Sequence, residues 1–183
     1  MHKLQYLFIS RILKTLFEQA EGLDVQNLDL LMSYDPKKAL SGIHTPNKAT
    51  QDGIHLGNKG HNLIKLASLG IPVPPGFIIT TEVFRCNKAV NSFRYVHEHL
   101  TDCIRDHLAR LENQTGKGFG DNRNPLLVSV RSGAAFSMPG MMFSFLNVGM
   151  NEHICEGLIQ QTSRPWFVWD CYRRFLQGWG MSF

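Results

Sequence analysis

Residues 126–142, LLVSVRSGAAFSMPGMM, decide how the chain is read. LLVSV is short and β-branched, which predicts a strand. The apolar run breaks at Arg131. A small, Gly- and Ser-rich stretch follows, crossed by Pro139 and closed by Met141 and Met142. Side chains alternate along a strand, so Ser129 and Arg131 share one face and Val128 and Val130 the other. Arg131 is therefore expected to point away from the apolar packing of the valines. A guanidinium presents a rigid fork of donors that matches phosphate oxygens two at a time. Ser132, Gly133, Ser137, Met138, Gly140 and Met141 supply the small residues, hydroxyls and amides of a loop suited to folding over a charged ligand. A strand-end salt bridge is the plainer account of Arg131, but it leaves the loop unexplained. Ser132 is not read as a hydrolase nucleophile, because the G-x-S-x-G elbow is missing.

A second phosphate-type feature lies upstream at Gly57-Asn58-Lys59-Gly60, just before an expected helix. Glycines let the backbone approach a ligand closely. The first amides of a helix favour an anion, and Lys59 adds a compact positive charge. The spacing is not that of a Walker A loop, and a glycine turn with a solvated lysine is the ordinary alternative. Gly116-Lys117-Gly118-Phe119-Gly120 is also glycine-rich, but it follows a helix and precedes a strand. A dinucleotide fingerprint needs the opposite order, so this segment reads as a loop. His99, Cys103 and His107 recur every four residues and share one helical side. They flank the apolar stripe and lack a fourth ligand, so no metal site is assigned.

The element pattern is mixed. Leu4, Leu7, Phe8, Ile12, Leu16 and Phe17 recur at helical spacing and predict an N-terminal helix over residues 1–20. Residues 1–52 read as a helical extension and linker, and 53–183 as the main domain. A short helix through Leu63, Leu66 and Ala67 is expected to end at Gly70, since Pro72, Pro74 and Pro75 forbid its continuation. GFIITT reads as a buried strand, with Thr80 or Thr81 capping the helix after it. Val96, Leu100, Ile104, Leu108 and Leu111 form the stripe of a helix over residues 92–112. FSFLNVG reads as another strand, and EHICEGLIQQTS and PWFVWDCYRRFLQGW as helices. Helices alternating with a few strands predict an α/β or α+β class, with a small sheet flanked by helices.

The chain of 183 residues is 43% hydrophobic and 19% charged, which suits a soluble globular protein. No apolar run approaches the ~20 residues of a membrane span. The net charge of +4 comes from scattered basic residues, so nucleic acid is not the expected partner. Cys86, Cys103, Cys155 and Cys171 lie far apart, as reduced cytoplasmic thiols would. The aromatic tail from Pro165 onward is expected to expose apolar surface for a partner or for self-association into a homo-oligomer.

Taken together, LGNKGHNLIKLASLGIPVPPGFIITTE, GKGFGDNRNPLLVSVRSGAAFSMPGMM, FLNVGMNE and YRRFLQ resemble the amino-terminal nucleotide-binding region of the pyruvate phosphate dikinase family, within the wider group of PEP/pyruvate-binding enzymes. The resemblance runs from about Leu56 to Gln177. It implies the N-terminal part of an ATP-grasp fold, with ATP and Mg2+ as cofactors and ATP or AMP as nucleotide partners. In that family the full enzyme interconverts ATP, pyruvate and phosphate with AMP, phosphoenolpyruvate and diphosphate through a phosphohistidine. Lys59 and Arg131 occupy the positions of the family's phosphate-contacting lysine and arginine. By the same resemblance Gly57, Gly60, Ser129, Ser132, Gly133, Ser137, Met138, Gly140 and Met141 fall in its nucleotide-binding segments.

Departures from the family pattern are Asn58 in place of a glycine and Phe143-Ser144 in place of an Asp-Thr pair. Asn58 is expected to be tolerated at a turn because Asn accepts left-handed backbone angles. The magnesium-holding lobe, the phosphohistidine domain and the phosphoenolpyruvate barrel are not recognised in these residues. The expectation is therefore a truncated, ATP-binding portion that does not turn over by itself. A phosphoenolpyruvate synthase-like kinase portion and a non-catalytic interaction module are the alternatives.

Overall fold

A computed structural model of the chain describes residues 34–133 and 144–181. The helix expected over residues 1–20 lies outside them. Strand β1 (Leu40–Gly42) precedes helix α1 (Gly53–Ser68), strand β2 (Phe77–Ile79) and three further helices, α2 (Thr81–Arg85), α3 (Asn87–Ser92) and α4 (Arg94–Thr115). Strands β3 (Val128–Arg131) and β4 (Ser144–Val148) follow, then helices α5 (Glu152–Thr162) and α6 (Pro165–Gly180). Among the described residues the strands form two separate two-stranded antiparallel sheets, β1–β2 and β3–β4. The class is accordingly α+β.

Residues 34–52 pack with the elements around β2 and α4. Leu40 pairs with Ile79 and Gly42 with Phe77, so β1 joins a strand from beyond the expected linker. Ser41 is buried, and its hydroxyl accepts from the Asn47 amide at 3.0 Å. Tyr34, Ala39 and Leu40 pack with Cys86, Val90, Phe93, Val96 and Leu100 in one apolar cluster. The predicted stripe on α4 supplies that cluster through Val96 and Leu100. The helix stops at Gly116, which takes the left-handed conformation at φ 66°. Gly70 does the same for α1. Its amide bonds the Ala67 carbonyl and the Ile71 amide bonds that of Leu66, the paired closure of a Schellman motif.

GFIITT is less buried than its composition predicts. Ile79 is exposed at the end of β2, although Phe77 on the same face packs against the apolar cluster. Thr80 caps α2 by accepting from the Glu82 amide, and its hydroxyl donates to the Ala39 carbonyl at 3.2 Å. Glu82 itself is only 4% exposed. It accepts from the Asp35 amide at 3.0 Å and from both sides of the Arg85 guanidinium, at 2.7 and 3.1 Å. Burial works to raise its pKa. The Arg85 and Asp35 hydrogen bonds outweigh burial and hold the carboxyl below its ordinary value of 4.5. Nearby, burial first and the neighbouring Cys103, Cys86 and Glu82 next push the Tyr34 phenol up to about 12.

A second apolar cluster sits around β3–β4, α5 and α6. Met150, Cys155 and Val168 form its centre, with Leu158, Tyr172 and Phe175 packed against them. Asn151 caps α5 by accepting from the Ile154 amide at 2.9 Å, and Pro165 opens α6 at its first turn. The loop over residues 116–125 is drawn onto α5. Gln161 Nε2 donates to the Asn122 carbonyl at 3.4 Å and to that of Arg123. Gly157 is buried beneath the same loop, and a Cβ there would lie 2.0 Å from the Asn122 carbonyl oxygen.

Two stability measurements follow from these contacts. Gly157→Ala forces backbone apart from backbone and is expected to cost about 1–3 kcal/mol, read from urea unfolding; a midpoint unchanged from the wild type would contradict the close approach. Glu82→Gln is expected to lower the melting temperature at pH 7. The stability that Glu82 supplies is present above its ordinary value of 4.5 and is lost as pH falls through the lowered folded-state value. Circular-dichroism melts should therefore show the two proteins converging in acid and diverging towards neutrality.

Candidate functional site

The site is built from the bend in α1 and the end of β3. Asp52 caps α1, its carboxylate accepting from the His55 amide at 2.8 Å and contacting the ring Nδ1 at 2.7 Å. These contacts hold the Asp52 carboxyl below its ordinary 3.8. The Thr81 hydroxyl donates to the Ile54 carbonyl at 2.9 Å and ties this turn to α2. The helix then breaks at Gly57, whose φ of 66° and ψ of 165° no helix contains. Only glycine enters that region freely. A Cβ there would meet nothing within 4 Å, so the demand is on the backbone alone. The break starts a fresh helical turn at residues 58–60, the arrangement that directs first-turn amides at an anion.

The two neighbours of Lys59 differ from expectation. Asn58 is not among the positive-φ residues, so the left-handed demand falls on Gly57 and a side chain at 58 costs nothing. Gly60 is buried, and a Cβ there would come within 3.0 Å of Ile78 Cδ1. Its smallness lets α1 close on β2. Lys59 is exposed and reaches across the molecule: Nζ donates to the Ser132 carbonyl at 2.9 Å, spanning 73 residues of chain. The ammonium is thus fixed one residue from Arg131.

Arg131, Ser132 and Gly133 are exposed at the end of β3. Val130 lies opposite Phe145, and Arg131 opposite Ser144. The register slips between Val128 and Val130, and Asn147 on β4 takes φ 58°, so the extra residue falls on β4. Directly opposed residues of antiparallel strands project to the same face. Phe145 packs on Trp179 of α6 with the rings tilted by 57° and their centres 5.3 Å apart, so Val130 and Phe145 look towards α6. Ser129, Arg131, Ser144 and Leu146 look the other way. The valine face is less covered than expected, with Val130 50% exposed, since α6 lies over the hairpin from one side and reaches only part of it. None of the ion pairs among the described residues includes Arg131. Ser137, Met138, Gly140 and Met141 lie outside the described residues.

The histidine row on α4 is used structurally. His107 Nδ1 meets the Cys103 carbonyl at 2.9 Å and its ring packs on Phe77, with centroids 5.4 Å apart. Cys103 Sγ lies 3.7 Å from the His99 ring nitrogens. Among the described residues no three His, Cys, Asp or Glu side chains gather to hold a metal ion. Sequence reading noted Ser144 only as a departure from the family pattern, and it missed the Asp52–His55 cap. An Asp three residues ahead of a helical position is a capping signal, whereas the facing of Ser144 on Arg131 depends on a strand register that no local pattern encodes.

No protein-family model matches the chain. Comparison with curated proteins finds pyruvate, phosphate dikinases. That of Clostridium symbiosum is 48% identical over 122 residues, 67% of this chain and 14% of that protein. That of Rhizobium meliloti is 44% identical over 132 residues, 72% of this chain and again 14% of the relative. The dikinase of Entamoeba histolytica is 43% identical over 125 residues. The matched region thus spans about 14% of the length of these relatives.

Gly57→Ala is expected to destabilise the chain by about 1–3 kcal/mol through backbone strain alone, because nothing crowds the position. A thermal melt equal to that of the wild type would show that the bend is not required.

Proposed function

We propose, for a chain that over these residues belongs to the pyruvate, phosphate dikinase family, that it supplies part of the ATP phosphate site of a dikinase-type phosphotransferase. The reading includes the N-terminal part of an ATP-grasp fold and, for the whole enzyme, the conversion of ATP, pyruvate and phosphate into AMP, phosphoenolpyruvate and diphosphate. The observation that carries it is the approach of Lys59 to the residue after Arg131, from a point 73 positions away from its carbonyl partner. Four free thiols, and the absence among the described residues of any helix long and apolar enough to cross a membrane, fit the cytoplasm as its compartment.

The chemistry asked of these residues is positioning and charge stabilisation, which dominate phosphoryl transfer. Arg131 would grip two oxygens of one phosphate through its fork. An ammonium has three donors. Lys59 can keep one on the Ser132 carbonyl and turn the others to a neighbouring phosphate, so the carbonyl acts as its positioning strut. Magnesium, when bound, would neutralise the polyphosphate charge; its ligands are expected outside the described residues. On this reading the described part binds nucleotide without turning it over.

A second reading is favoured by α6, where Trp166 is 89% and Phe167 64% exposed. If this face recruits another protein or a second copy, sedimentation will depend on concentration and will not respond to nucleotide.

A charge-assisted phosphate contact contributes ~1.5–3 kcal/mol. Arg131→Ala is therefore expected to weaken ATP binding about ten- to a hundred-fold by calorimetry. Equal affinity in wild type and variant would remove Arg131 from the site.

A further inference from the structure

We infer that Ser144 is a further anion-contacting residue of this site, its hydroxyl donating to the phosphate group that Arg131 grips. The inference rests on the ATP-phosphate reading above and adds to it a residue that local sequence did not identify.

The register sets Ser144 directly across from Arg131. Such cross-strand pairs hold their Cβ atoms about 4.5–5.5 Å apart on one face of the sheet. The face is fixed independently by the next residue, because Phe145 packs on the Trp179 ring of α6. Exposure agrees with that alternation: Ser144 and Leu146 are exposed and Phe145 is half-buried. Ser129, two residues before Arg131, is exposed on the same face. Arg131 is thus flanked by hydroxyl residues on a face that, among the described residues, neither α6 nor another strand covers.

The side-chain chemistry selects the ligand class. A guanidinium donates and never accepts, whereas a hydroxyl adds one donor without charge. A carboxylate at Ser144 would neutralise Arg131, and an aliphatic side chain would shield it. A hydroxyl leaves the positive charge available and supplies a donor at a third point, out of line with the planar fork. A planar carboxylate ligand gripped by the fork keeps both of its oxygens in the plane of the fork. A tetrahedral phosphoryl group has a further oxygen to offer. The arrangement therefore points to a terminal phosphoryl group held by Arg131 through two oxygens and by Ser144 through another, with Lys59 at the edge of the same hairpin. No covalent step is involved.

The test is calorimetric titration of the full chain with ATP and, separately, with inorganic tripolyphosphate. Ser144→Ala is expected to weaken both ligands about five- to tenfold, and Ser144→Thr to stay within about twofold of wild type. Leu146→Ala, on the same face but without a donor, is expected to leave both affinities unchanged. If Arg131→Ala loses binding while Ser144→Ala does not, the Ser144 contact is wrong and the phosphate site stands. If Leu146→Ala weakens binding as much as Ser144→Ala, the loss comes from damage to the hairpin and the contact is again overturned. If neither ligand binds the wild type, or Arg131→Ala binds like it, the phosphate reading fails and this inference goes with it.

Discussion

A single residue that cannot be helical, inside a helix, governs the geometry around it. Gly57 at φ 66° and ψ 165° ends one turn of α1 and starts another. Asp52 and Thr81 fix the turn before the break, and Gly60 packs the turn after it against Ile78. Lys59 is caught between those two anchors, so its side chain leaves α1 in a direction set by backbone and packing together. Its bond to the Ser132 carbonyl is exposed, and exposed contacts of this kind contribute little to stability. The contact matters for where it places charge, beside the end of a strand from the other apolar cluster.

That strand belongs to a hairpin that would be marginal alone, since two strands bury too little surface to persist in water. It is held by α6, through Phe145 on Trp179 and Phe175 behind them. The bulge at Asn147 shifts the pairing by one residue and adds local twist. One face of the hairpin packs on the aromatic rings of α6, and among the described residues the opposite face, with Ser129, Arg131, Ser144 and Leu146, is left exposed. The division follows from the alternation of side chains, with apolar Phe145 between Ser144 and Leu146.

Helices were the most legible part of the sequence. The stripe from Val96 to Leu111 located α4 to within a few residues, because a long amphipathic period repeats its signal every turn. Gly70 marked a helix end for the physical reason that a left-handed residue is required there. β1 was not legible: Leu40–Gly42 has three residues and no alternation to detect, and its pairing partner lies far along the chain. Gly57-Asn58-Lys59-Gly60 was noticed as a unit, yet its glycines have different duties, one conformational and one steric. Only a neighbour such as Ile78 reveals the second. The burial of Val130 was overestimated because β-branched composition reports a preference for strands and says nothing of whether a covering layer exists.

The meeting of Gly157 with the Asn122 carbonyl also bears on how the chain opens. A surface loop ordinarily frays by itself, at low free energy and independently of the elements it joins. Here the loop over residues 116–125 meets α5 backbone to backbone at Asn122 and Gly157, and Gln161 holds the Asn122 and Arg123 carbonyls. Separating the loop from α5 exposes that helix and breaks the clasp in the same event. That geometry couples loop to helix, so the two are expected to open together rather than one by one.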